Sequence, residues 1–225
     1  MKLFSALALL ASLSAASAAS GATLYFDAET HHDVVTLQLT PPPGVTFSAE
    51  GGEVGYDVRE GFGFVGVTGP GGNVEIDQGQ TLIVNFAIAQ IFSNLTLGLL
   101  FDDEFGDQFE AAGVLTDGSS FQFILAVTGE STATWNGPGA ILTNLSPAAP
   151  GGGGVWSIDN PFGNLAVTSL RFTAGPNKPD NSSDDYGLIR FTSRSASVPD
   201  VASTALLLGL SLAALVGVAS RQRGR

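Results

Sequence analysis

Apolar and polar residues alternate with a period of two through most of the chain as far as residue 200, and no stretch before that point shows the 3.6-residue period of an amphipathic helix. Leu82, Val84, Phe86 and Ile88 fall on one face, with Thr81, Asn85 and Ala87 among the residues between them. Leu95, Leu97, Leu99 and Phe101 alternate with Thr96, Gly98 and Leu100, and Phe121, Phe123, Leu125 and Val127 alternate with Gln122, Ile124 and Ala126. The pattern predicts three strands, each with one face in a core. Shorter strands are predicted around Leu24 and Phe26, around Val35, Leu37 and Leu39, and around Val45 and Phe47 after Pro41, Pro42 and Pro43. Leu165 and Val167 are in phase with each other, but Leu170 and Phe172 have slipped by one residue, which predicts a β-bulge near Thr168 and Ser169. A last strand is expected over Tyr186 to Thr192.

Turn signals separate these runs at short intervals: Gly51 and Gly52, Gly69 to Gly72, Asp117 with Gly118, Asn136 to Gly139, and Gly151 to Gly154. Many short strands with Gly and Pro punctuation and no helices predict an all-β fold, an antiparallel β-sandwich of jelly-roll-like type.

The pattern changes at both ends. Leu3 to Leu13 is a short apolar run behind Lys2, and Ser14 to Ser20 is all Ser and Ala, with Ala16 and Ala18 in A-x-A spacing. This predicts a cleaved secretory signal peptide over residues 1–19. From Val201 to Ser220 no residue is charged, and 20 helical residues reach about 30 Å, the thickness of a bilayer's hydrocarbon core. Arg221, Arg223 and Arg225 follow at once, so the chain end is expected in the cytoplasm and everything before Pro199 outside. The expected organisation is a signal peptide at 1–19, an ectodomain at 20–192 and a small polar tether at 193–197. A C-terminal segment at 198–225 follows, with a transmembrane helix at 201–220 and an Arg-rich tail at 221–225.

The tail, VPDVASTALLLGLSLAALVGVASRQRGR, resembles the C-terminal sorting signals of the PEP-CTERM class, and most of all its VPDSG variant. Val201 and Ala202 stand where that variant usually has Ser and Gly. The resemblance implies an exported protein that an exosortase, a membrane transpeptidase-like protease, processes near Val198, Pro199 and Asp200. Cleavage would pass the protein on to the cell surface; an uncut chain would stay as a single-pass membrane protein. The run Gly61 to Phe86 is similar to a segment of exported β-sandwich proteins of the same class, in which a Gly-rich turn leads into a GxxEIDxGE-like stretch and a strand. Glu75, Ile76 and Asp77 match it, and Gln80 replaces the usual acid. The class implies signal peptidase and exosortase as processing partners, and exopolysaccharide as a companion at the surface.

Charge then narrows the partners. All 21 acidic residues of the chain lie between Asp27 and Asp200, against Arg59, Arg171, Lys178, Arg190 and Arg194, which leaves this stretch at a formal −16. Nucleic acid is excluded as a partner, because phosphate binding needs a basic surface. Cysteine is absent, so no disulfide and no thiol nucleophile contributes.

No catalytic constellation stands out, and the chain is read as non-enzymatic. His31 and His32 are its two histidines, no serine sits in a GxSxG elbow, and adjacent side chains in a strand point to opposite faces. Two acidic clusters have the crowded hard-oxygen character that suits Ca²⁺ and equally that of solvated loops: Asp102, Asp103, Glu104 and Asp107, and Asp180, Asn181, Asp184 and Asp185. Neither follows the EF-hand spacing. Trp135 and Trp156, with Tyr56 and Tyr186 as helpers, are candidates for a carbohydrate platform or for the ends of the core. The expected function is a structural or adhesive role at the cell surface or in the extracellular matrix. A Ca²⁺-assisted carbohydrate-binding module is the alternative, and a glycan-active enzyme comes third.

Overall fold

The chain is seen in a computed structural model that describes residues 21–31, 39–59, 61–100, 110–117, 122–129, 131–138, 141–146, 154–174 and 185–196. These form thirteen strands and, among the described residues, no helix. In chain order they are β1 (Thr23–Asp27), β2 (Val45–Glu50), β3 (Glu53–Arg59), β4 (Phe62–Thr68), β5 (Val74–Glu75), β6 (Thr81–Leu100), β7 (Ala111–Thr116), β8 (Gln122–Gly129), β9 (Thr132–Trp135), β10 (Ile141–Asn144), β11 (Gly154–Asp159), β12 (Val167–Ala174) and β13 (Gly187–Ser195). Every pairing is antiparallel. The all-β, antiparallel expectation therefore holds.

The strand that organises the sheet is β6. Its 20 residues span about 65 Å at roughly 3.3 Å each, and they include no proline and, before Gly98, no glycine. The two separate strands expected over 82–88 and 95–101 are one, as far as the described residues reach. Its first part, Thr81 to Phe86, pairs with β2 on one side and β12 on the other. Its second part, Gln90 to Gly98, pairs with β13, and from Asn94 onward β11 takes the other side. The alternation breaks between the two parts. Phe86 is buried, Ile88 is 55% exposed, and Gln90 is buried again with Nε2 donating to the Ile88 carbonyl (2.8 Å). A register shift between Thr192 and Ser193, opposite Asn94 and Phe92, leaves Ser93 as an extra residue. The buried phase moves from even to odd positions there, from Phe92 to Leu95 and Leu97.

The core is fed by this switch. Phe26, Phe86, Phe92 and Phe191 converge, with Phe26 stacked on Phe191 (centroids 5.2 Å) and Phe86 edge-on to Phe92 (5.4 Å) and Phe191 (5.6 Å). Each such contact contributes about 0.5–1.5 kcal/mol beyond burial. Leu82, Val84, Val114, Leu125, Leu170 and Phe172 extend the same cluster. The irregularity expected near Thr168 and Ser169 is found, but with Val167 opposite Gln90 and Ser169 opposite Asn85 the additional residues lie on β6 rather than on β12. Asp117, at φ +47°, closes it, its Oδ1 accepting from the Thr168 amide (2.6 Å), the Thr168 hydroxyl (2.7 Å) and the Ser169 amide (2.7 Å).

One boundary differs from the sequence reading. Ser193 to Ser195 belong to β13 rather than to a tether, with Ser193 buried and its hydroxyl donating to Gln90 Oε1 (3.0 Å). The small polar side chains looked like linker, but the strand is held by β1 and β6 on its two sides. The described body is a compact unit from Ala22 to Ala196. The signal peptide, Val198 to Asp200, residues 201–220 and Arg221, Arg223 and Arg225 lie outside the described residues.

Candidate functional site

β4 turns through Gly69 to Gly72 into β5, which sets Glu75 opposite Val67. The approach is close enough that a Cβ on Gly66 would stand 2.9 Å from the backbone of Glu75. Beyond β5 the Ile76 amide donates to the carbonyl of Tyr186 (2.8 Å). The chain then turns, with the Gln80 amide donating to the Asp77 carbonyl (3.0 Å) and the Asp77 amide donating to Gln80 Oε1 (3.0 Å). Glu75 and Asp77, two residues apart in extended chain, emerge on the same side, beside Asp185 at the approach to β13.

One carboxylate oxygen from each of Glu75, Asp77 and Asp185 lies within 4.8 Å of the others. Glu75 is 2% exposed and the other two are half-buried. The guanidinium of Arg59 pairs with Glu75 Oε1, and its Nε lies 3.9 Å from Asp57 Oδ2. Burial pushes the Asp77 carboxyl up from the ordinary carboxylate value, and the Arg59 charge partly opposes the shift. The set offers hard oxygen donors of the kind that hold Ca²⁺. Arg59 also neutralises part of its charge through Glu75.

The acidic clusters read from the sequence fall almost wholly outside the described residues. Asp102, Asp103, Glu104, Asp107, Asp180, Asn181 and Asp184 lie outside the described residues. Only Asp185 is described, and it joins Glu75 and Asp77, whose gathering the sequence reading missed. The signal was present in part, since Glu75 and Asp77 stand out in the EID stretch and share a face at i, i+2. Their meeting with Asp185, more than 100 positions away, is set by the Ile76–Tyr186 hydrogen bond.

No protein-family model matches the chain, and no curated protein matches it either. The remaining candidates therefore stand on geometry alone.

Trp156 is not a sugar platform. It is 2% exposed, with Nε1 donating to the Leu100 carbonyl (3.3 Å), because β11 inserts it into the core against β6. Tyr186 is fully buried and Tyr56 is 5% exposed, so neither helper offers a ring face. The Tyr186 hydroxyl lies 2.9 Å from the Gly113 carbonyl and 3.0 Å from that of Thr173, and burial holds its pKa well above that of an ordinary phenol. Trp135 is half-buried on β9. One ring face stacks on Phe123 (centroids 5.8 Å, 14° between planes), and Nε1 donates to the Pro161 carbonyl (2.9 Å). A single ring so occupied is a weak platform for a sugar.

His31 is built into the turn that follows β1. Its Nδ1 lies 2.9 Å from the Asp27 carbonyl and 3.0 Å from the Thr30 hydroxyl, and its ring packs 5.4 Å from Phe26. His32 lies outside the described residues.

Proposed function

We propose that this chain is an exported β-sandwich of jelly-roll-like type, tethered to or sorted through the membrane by its C-terminal segment. Its role at the cell surface or in the extracellular matrix is structural or adhesive. The observation that carries the reading is the pairing of the first described strand with the last. β1 and β13 run antiparallel with Thr23 opposite Arg194, and the Ser195 amide donates to the Ala22 carbonyl (3.1 Å). The body thus opens just after the expected signal-peptide cleavage site and closes just before Val198, both ends side by side. Such an arrangement suits a folded unit flanked by two removable targeting segments, and it agrees with the PEP-CTERM-like tail. The acidic surface and the lack of cysteine fit a soluble outer domain stabilised by its core.

Expression of the full chain beside a version ending at Ala196, followed by fractionation, tests this. The full chain is expected with the envelope or cell surface and the truncated one free in the medium; equal distribution would remove the sorting role of the tail.

A second reading is favoured by the meeting of Glu75, Asp77 and Asp185: the body takes up Ca²⁺ there, which would brace the β5–β6 turn for contacts with surface polysaccharide. A calorimetric titration showing no heat and no rise in melting temperature at millimolar Ca²⁺ would dispose of it.

A further inference from the structure

The chain enters and leaves its body at one place, and that place is apolar. The Ala196 amide donates to the Ala89 carbonyl (2.7 Å), so β13 ends beside the point where β6 crosses from one set of partners to the other. An open groove of about 410 Å³ lies there, lined by Leu24, Tyr25, Pro42, Pro43 and Ile88 among others, with Ser195 at its edge. Tyr25 is 45% exposed and Ile88 55% exposed, two of the large hydrophobic side chains that the body leaves in solvent. The Tyr25 hydroxyl donates to Asp27 Oδ2 (2.7 Å), so its polar tip is engaged while its ring is open.

Chain length restricts what this groove can face. Between Ala196 and Val201, where the charge-free segment begins, stand only residues 197–200. From Ser195 to Val201, six Cα steps reach at most about 22 Å. If residues 201–220 cross a bilayer, the groove edge at Ser195 lies within that distance of the membrane surface.

We infer that, as long as the tail is uncut, the groove is the membrane-facing side of the body, and that Tyr25, Pro42, Pro43 and Ile88 rest in the interfacial layer of the bilayer that the tail crosses. The inference rests on the tethered reading above and adds to it an orientation. An aromatic ring with a polar tip, beside aliphatic groups, suits the boundary between headgroups and acyl chains. The charges flanking the groove are of both signs, Asp27 opposite Arg190 and Arg194 opposite Thr23, so the contact rests on its apolar lining. It need not be strong, because a short tether holds the body at an effective concentration of about millimolar order.

The chain has no cysteine, so one introduced thiol is a unique label. The mature full chain, in phosphatidylcholine vesicles containing a doxyl-lipid quencher, is prepared with a nitrobenzoxadiazole probe at Ile88→Cys, at Leu145→Cys or at Ala213→Cys. Leu145 is exposed and its amide donates to the Val155 carbonyl, level with Gly98 and Gly187. That is the opposite end of β13, roughly 26 Å from Ser195 at 3.3 Å per residue. The expected result is a blue shift and loss of emission to the quencher at 88 and 213, with the probe at 145 unaffected. Quenching at 213 with position 88 as bright as 145 would overturn the inference and leave the tether standing. A blue shift at 88 without quenching would mean that protein covers the groove, which also overturns it. No quenching at 213 would remove the tethered reading and the inference with it.

Discussion

The amide of Ile76 donates to the carbonyl of Tyr186 across 2.8 Å, and this bond joins the segment carrying Glu75 and Asp77 to the one carrying Asp185. Tyr186 is itself pinned at the other end of its side chain, where its buried hydroxyl meets the carbonyls of Gly113 on β7 and Thr173 on β12. One residue thus couples the acidic group to the centre of the sheet.

Tyr186→Phe is expected to lower stability by about 1–2 kcal/mol, since it leaves buried carbonyls without their donor. It should also alter the pH dependence. The folded-state pKa of Tyr186 is raised above the ordinary 10.0, so the folded chain holds the phenolic proton more tightly than the unfolded one. The resulting stability is fully present below about pH 10 and is lost as the pH rises toward the folded value. Urea denaturation in alkaline buffers should show wild-type stability falling more steeply above pH 10 than that of the Phe variant.

Asp117→Ala removes the acceptor of three short contacts at Thr168 and Ser169 of β12 and places alanine at φ +47°. A loss of about 1–2 kcal/mol is expected, in the range of a lost N-cap. Asp117→Asn, which tolerates the left-handed region and keeps an acceptor, should lose less. Thermal melts of the two variants compare them directly.

Several boundaries were legible in the alternation and others were not, for physical reasons. The slip between Val167 and Leu170 revealed the irregularity, because the buried phase of β12 changes where its register against β6 jumps. The strands β3 and β4 were hidden by their interior glycines, Gly55 in β3 and Gly63 and Gly66 in β4. Gly63 makes room for the Tyr56 hydroxyl and Gly187 for the Phe64 ring, so these positions are small through packing rather than through turn formation. Ser193 to Ser195 looked like linker because a strand between two neighbours can carry polar side chains when they pair, as Ser193 does with Gln90. The gathering of Glu75, Asp77 and Asp185 depends on a long-range backbone contact that no local spacing encodes.

Gly187→Ala follows from the same packing. A Cβ there would collide with the Phe64 ring, and Phe64 is fully buried. Overpacking of this kind costs about 1–3 kcal/mol, and a lowered denaturation midpoint with an unchanged slope would register it.

The acidic group gives opposite signs with and without a cation. Burial raises the Asp77 pKa, so its ionised form is disfavoured in the folded chain, and the proton-linked stability is present at low pH and lost as pH rises through the folded value. Without metal, Asp77→Asn should therefore be neutral or slightly stabilising near pH 7. If Ca²⁺ binds, the wild type should gain melting temperature in millimolar Ca²⁺, and Asp77→Asn and Asp185→Asn should not. Melting curves of the three proteins in Ca²⁺ and in chelator separate an ion-pair network from a metal centre.

The central claim is that a folded, all-β body is exported and trimmed at both ends. Intact-protein mass spectrometry on material recovered from the native envelope and culture medium tests it most directly. The account predicts a mass that begins at Ala19 or Ser20 and lacks everything after about Pro199. A mass retaining Arg221, Arg223 and Arg225 would replace sorting by a permanent anchor. A mass that still begins at Met1 would contradict export, and with it the account.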